Sequence, residues 1–184
     1  MKLRRFLLLA APLAVVAAIL MPGCSAARPM PTVPKVDLKR MEGTWYVITH
    51  ISYWLEEGKV ATADRYRLRE DGRMDNTYVF RRGTFDAPEE EWHGVAWVHN
   101  AQTNAHWKVR FLWPFSIDYL IIDLDPDYRW LAVGHPSRDY FWILCRERRL
   151  DAQVKAGIVA RAVAQGYDAS RFADVPQPTE PAAK

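Results

Sequence analysis

Gly43-Thr44-Trp45-Tyr46-Val47-Ile48-Thr49-His50-Ile51 is a run of β-branched and aromatic side chains entered through a glycine. Such side chains fit a pleated, half-buried surface, and a glycine lets the chain turn tightly into the strand. Comparable runs follow at 63–69, 74–81, 91–99, 105–111, 118–124, 130–134 and 140–146. Between them lie Glu70-Asp71-Gly72, Asp86-Ala87-Pro88, Asp125-Pro126-Asp127 and His135-Pro136-Ser137-Arg138, each with the chemistry of a turn. Eight short strands joined by short loops predict an all-β fold, an antiparallel up-and-down meander. Closing that meander into a barrel removes its exposed edges and leaves room for one small ligand.

The rhythm changes after Leu150. Val154, Ile158, Val159 and Ala162 recur at helical spacing, with Asp151 at the start and Gly166 just past the end. One C-terminal amphipathic helix over 151–165, packed on the barrel wall, is expected. No internal repeat is visible.

The N-terminus has a different character. Lys2, Arg4 and Arg5 precede an apolar run from Phe6 to Met21, and Gly23 precedes Cys24. This is a secretory signal pattern whose apolar part is short for a bilayer span. Met21-Pro22-Gly23-Cys24 resembles the bacterial lipobox, in which the cysteine is acylated and becomes the mature N-terminus. Met21 and Pro22 depart from the usual leucine and small residue. Ser25, where an aspartate would signal retention, points to the outer membrane. Stable anchoring needs several acyl chains of the palmitate kind, because one chain binds only marginally. The expected organisation is a signal peptide over 1–23, a lipidated proline-rich tether over 24–36, a barrel domain over 37–175 and a disordered tail over 176–184.

The formal charge of +3 comes from the leader. Three of the 25 Lys and Arg residues precede Cys24 and no acidic residue does, so the remainder carries 22 charges of each sign. A neutral domain offers no electrostatic case for nucleic acid. The basic run 65–69 is flanked by Asp64 and Glu70 and reads as a solvated strand face, as does the acidic run 89–91 in a loop. Cys145, the second of two cysteines, lies in Tyr140-Phe141-Trp142-Ile143-Leu144-Cys145 and reads as a buried thiol. The five histidines (His50, His93, His99, His106, His135) show no H-x-x-x-H pair, and no C-x-x-C occurs, so neither a metal nor a cofactor is expected. No G-x-S-x-G, P-loop or G-x-G-x-x-G element is present. Asp64, Asp118 and Asp123 are isolated acids without an evident partner, and no catalytic residue is assigned.

Three motifs in order carry a family resemblance. Gly43-Thr44-Trp45-Tyr46 follows Val36-Asp37-Leu38-Lys39-Arg40; Asp125-Pro126-Asp127-Tyr128 precedes the seventh strand; Arg146 ends the eighth in Trp142-Ile143-Leu144-Cys145-Arg146. With Lys108-Val109-Arg110-Phe111 and Pro136-Ser137-Arg138-Asp139-Tyr140, the chain from about 36 to 175 resembles the lipocalins. It is most similar to their bacterial lipoprotein branch, the plant temperature-induced lipocalins and apolipoprotein D. The resemblance implies that Trp45 closes the narrow end of the barrel, with Arg146 across its ring and Gly43 at the strand start, all three structural.

Side chains alternate along a strand, so one fixed residue sets its neighbours. With Trp45 inward, Val47 and Thr49 are expected inward; with Arg146 inward, so are Leu144, Trp142 and Tyr140. The family pattern adds Tyr66, Met74, Asn76, Tyr78, Val98, Val109, Phe111, Tyr119 and Ile121. The ligand-contact candidates are Val47, Tyr66, Met74, Asn76, Tyr78, Val98, Val109, Phe111, Tyr119, Tyr140 and Trp142. Mostly apolar with a few orienting polar groups, this set suits a fatty acid or lysophospholipid. The segment 51–58, with Tyr53, Trp54 and Leu55, is expected as a long loop at the mouth, either a gate, a membrane contact or a collapsed lid. The expected function is a non-enzymatic lipid-binding or transport lipoprotein of the outer membrane, facing the periplasm. An enzyme acting on a lipophilic substrate and a structural lipoprotein with a filled barrel are the alternatives. A homodimer is left open.

Overall fold

The computed structural model describes residues 29–179. The leader, its cleavage point and Cys24 lie outside the described residues. Eight strands run in sequence: β1 (Gly43–Ile51), β2 (Lys59–Leu68), β3 (Met74–Arg82), β4 (Glu90–Val98), β5 (His106–Arg110), β6 (Ile117–Leu124), β7 (Trp130–Gly134) and β8 (Phe141–Cys145). Each pairs antiparallel with the next, and β1 pairs with both β2 and β8, which closes the expected eight-stranded barrel. A short helix α1 (Leu38–Met41) precedes the barrel, and the helix α2 (Ala152–Ala164) follows it. A two-residue strand β9 (Ala173–Asp174) then adds to β1 beside Thr49 and His50.

The sequence locates every barrel strand to within a residue or so, except the start of β2. That strand begins at Lys59 rather than 63, because a bulge between Val60 and Ala63, with Ala61 at φ 53°, lets it continue through irregular backbone. Extra residues at a bulge break the alternation that marks a strand in sequence. The helix is as expected. Asp151 caps it by accepting from the amides of Gln153 and Val154, and Gly166 leaves it at φ 100°.

Two apolar layers result. Inside the barrel Trp45, Trp107, Ile121, Leu131, Val133 and Leu144 form a buried core. Outside it, Ile158 and Ala162 of α2 cover Leu120, Ile122, Phe141, Ile143 and Cys145. The Cys145 thiol is buried and burial raises its pKa, as expected of a structural cysteine.

The narrow end is sealed by α1. Asp37 caps it through the amides of Lys39 and Arg40, and Met41 is fully buried. Trp45 Nε1 donates to Met41 O at 2.7 Å. The Arg146 guanidinium lies 3.7 Å from the centre of the Trp45 ring and donates to the carbonyls of Thr44 and Arg40. Gly43, at φ 97°, sits where a Cβ would approach Arg146 Nη1 to 3.1 Å. The Asp125 carboxylate accepts from Arg129 and from the amides of Asp127 and Arg129, which holds it well below the usual carboxylate range. Tyr128 accepts from the Asp37 amide and stacks under Arg40, fastening the turn to α1.

The chain on either side of the expected domain also packs. Val36 is fully buried, and its amide bonds Thr103 O; the Val33 amide bonds Ile121 O. Past 175, Pro176 O accepts from Ala61, and the Gln177 amide donates to the carbonyls of Val47 and Thr62. Packing therefore starts by Val33, four residues before the expected domain, and runs to Gln177, two residues past it.

Candidate ligand-binding calyx

In an up-and-down barrel, alternate loops share an end. The loops 52–58, 83–89, 111–116 and 135–140 lie at the wide end, opposite α1. Below this mouth a cavity is lined by Tyr53, Glu56, Asp64, Asn76, Tyr78, Val109, Phe111, Ile117, Tyr119 and Trp142. Its volume is about 30 Å³, roughly the space of one water in the liquid.

Six of the eleven expected contacts line this cavity: Asn76, Tyr78, Val109, Phe111, Tyr119 and Trp142. Tyr66 lies just beneath, its hydroxyl 2.7 Å from that of Tyr119. Met74 and Val98 sit at the narrow end beside Leu38 and Trp107, and Val47 packs within the inner core. Tyr140 stands at the mouth, its ring against Tyr53 and Trp142. Thr49 departs from the alternation. A register shift between Val47 and Thr49 places it opposite Ile143 on the outer layer, and its hydroxyl bonds Asp174 at 2.8 Å. The same shift turns His50 inward, opposite Trp142.

The lid is the 52–58 loop. Tyr53 packs edge-on against Tyr140 and Trp142, and a 3₁₀ turn at Trp54–Glu56 carries Glu56 into the mouth. The buried Glu56 carboxylate accepts from Trp142 Nε1 at 3.1 and 3.2 Å and lies 3.5 Å from His50 Nδ1. Trp54 and Leu55 point to solvent. The loop is thus lid and exposed surface at once.

Asp64 is the polar group the sequence reading left without a partner. It faces inward opposite Trp45 and Tyr78. Burial, and then the charge of Glu56, push its carboxyl up to about 7, against hydrogen bonds from Tyr66 and Asn76. Its position two residues before Tyr66 is the signal that could have found it. Glu56, on a loop, leaves no periodic signal. Asn76 is almost wholly buried, and its Oδ1 has no hydrogen-bond partner. Lys59 is also buried. Its ammonium lies 3.3 Å from the Trp92 ring centre and 3.7 Å from that of Phe80, and desolvation lowers it to about 8. Rings in this position replace part of the lost hydration of a cation.

A larger hollow of about 650 Å³ lies mainly over outward side chains of β2–β5, with Trp113 of the β5–β6 loop, and it reaches Tyr66, Gly94 and Phe111. Three of its four arginines are in ion pairs, Arg65 with Glu89 and Glu91, and Arg67 and Arg69 with Asp75, and Arg110 lies over the Trp97 ring. This open surface lies mostly outside the barrel and shares Phe111 with the lumen cavity. Among the described residues no cluster of three or more His, Cys, Asp or Glu side chains is placed to hold a metal.

A closed eight-stranded barrel, sealed at one end by a Trp–Arg pair and lidded at the other over an aromatic calyx, is the architecture of a lipocalin. The family model of the lipocalin-like domain matches residues 36–177, and the chain belongs to that family. It is 37% identical over 171 residues to the outer membrane lipoprotein Blc of Escherichia coli K12, covering 90% of this chain and 94% of the relative. It is 29% identical over 161 residues to temperature-induced lipocalin-1 of Arabidopsis thaliana, covering 83% and 85%. Among solved structures, insecticyanin from the tobacco hornworm Manduca sexta superposes with a TM-score of 0.63 at 16% identity, covering 80% and 84%. Lobster apocrustacyanin A1 gives 0.59 at 15%, covering 77% and 79%.

Proposed function

We propose that this protein is a lipid-anchored carrier of the outer membrane, acylated at Cys24, that takes one hydrophobic acyl ligand, a fatty acid or lysophospholipid, into the calyx. The observation that carries this reading is the lid: a single buried carboxylate, Glu56, latches an aromatic-lined lumen shut. A barrel meant only as a scaffold needs no latch, whereas a carrier must open to admit a chain and close to keep it from water. The outer-membrane names of the bacterial relatives support the location. Burial of an acyl chain at about 25 cal/mol per Å² supports micromolar binding after entropic losses. The bacterial relatives are named as lipoproteins and not as enzymes, which supports a non-enzymatic reading.

One observation favours a second reading, a structural lipoprotein with a filled barrel: the cavity of about 30 Å³ is far too small for an acyl chain with the lid shut. Titration with a fluorescent acyl probe separates the two. Saturable uptake with quenching of the Trp142 region supports the carrier; no ligand-dependent change in fluorescence supports the filled barrel.

A further inference from the structure

Seven large apolar side chains are strongly exposed among the described residues, and six share one end of the barrel. Trp54 and Leu55 lie on the β1–β2 loop, Phe85 on the β3–β4 loop, and Leu112, Trp113 and Phe115 on the β5–β6 loop. The seventh, Val163, is on α2. Exposure is greatest at Trp113, 78%, and Trp54, 75%. Scattered apolar residues on a surface need no explanation, but a concentration on the tips around one opening does.

The N-terminal chain leads to the same end. Val36 bonds Thr103 near the narrow end, Val33 bonds Ile121 midway along β6, and Met30 Sδ lies 3.7 Å from the Tyr167 hydroxyl beside Gly134, the last residue of β7. Read toward the N-terminus, the chain climbs the outside of the barrel and reaches the mouth. Six Cα–Cα steps separate Met30 from Cys24. At about 3.3–3.6 Å per residue they span no more than about 22 Å.

We infer that the mouth rim is a membrane-docking surface, on which Trp54, Trp113 and Phe115 seat the barrel mouth-down on a phospholipid bilayer. This rests on the tether reading above, since an anchor at Cys24 holds the rim within reach of the surface it occupies. Indole rings favour the membrane–water interface because one edge is apolar and the other donates a hydrogen bond. Three separate tips around an opening suit a deformable lipid surface. The rim then surrounds the lid, so a chain passes between bilayer and calyx without crossing bulk water.

The test uses the full anchored protein in phosphatidylethanolamine–phosphatidylglycerol vesicles whose acyl chains are brominated. Tryptophan quenching is compared between wild type and W54F/W113F, both at exposed sites where the fold has little to lose. Docking requires the double variant to lose at least half of the quenching; equal quenching overturns it. A second arm measures transfer of an acyl probe from vesicles to W113D/F115D. A tenfold slower transfer with solution affinity kept within twofold supports docking; unchanged transfer overturns it. Concentration-dependent shielding of these tryptophans without vesicles assigns the rim to a second copy of this chain, and also overturns it. If no acyl probe binds at all, the carrier reading falls, while the quenching arm still decides the docking.

Discussion

The Glu56 carboxylate accepts both of its short contacts from one donor, Trp142 Nε1, at 3.1 and 3.2 Å. Lid and barrel wall, 86 residues apart in the chain, are thereby joined at a single buried point. A charged hydrogen bond of this kind contributes about 1.5–3 kcal/mol. Glu56→Ala removes the latch together with a buried charge. The closed-to-open ratio should fall by about 10- to 150-fold, and the association rate of an acyl probe should rise by at least about tenfold. Stopped-flow tryptophan quenching checks this; an unchanged rate shows that the lid does not limit access.

Asp64 should make stability depend on pH. Its carboxyl titrates near 7 in the fold and near 3.9 in the unfolded chain. Between these values the native state holds a proton that the unfolded state releases, so this group's contribution to stability falls as pH rises from about 4 to 7, then levels off. Asp64→Asn removes the dependence. The variant should be about 4 kcal/mol more stable than wild type at pH 8, with the gap closing toward pH 4. Denaturant titrations at both pH values test it; a constant difference between the two proteins contradicts it.

Gly94 keeps the calyx wall thin. A Cβ there would lie 2.7 and 2.9 Å from ring atoms of Phe111 and 3.0 Å from Arg110 O. Gly94→Ala should push Phe111 into the lumen, costing about 1–3 kcal/mol in stability and weakening acyl binding several-fold. Parallel thermal melts and probe titrations separate the two effects; full affinity in a destabilised barrel would place the ligand elsewhere.

Arg146 closes the narrow end through one ring contact and two carbonyl hydrogen bonds. Arg146→Ala should cost about 2–4 kcal/mol, and Arg146→Lys part of that, since an ammonium keeps the charge but not the planar fork. Urea midpoints measure both. A cost under about 0.5 kcal/mol for the alanine variant would show the pair to be ornamental to the closed end.

The barrel was legible because most strands alternate and most turns carry Gly, Pro or Asp, as at Glu70-Asp71-Gly72 and Asp125-Pro126-Asp127. Trp45 and Arg146 fixed which face was inner. What alternation cannot carry was missed. α1 and β9 are four and two residues long, too short for any period to show. The shift at Val47/Thr49 exchanged Thr49 for His50 on the inner face, and no residue there announces a bulge. Glu56 enters the mouth through loop geometry alone. Asp64 kept the strand's period, but its neighbours Asn76 and Glu56 come from β3 and the lid, so no partner showed beside it in the chain.

The central claim, one acyl chain held in the calyx beneath the lid, is tested most directly by native mass spectrometry of the anchored protein released from its membrane. Wild type should carry one non-covalent acyl lipid per barrel, and Val109→Trp, which fills the lumen, should carry none. A wild-type barrel free of lipid, or equal occupancy in both proteins, would contradict the account.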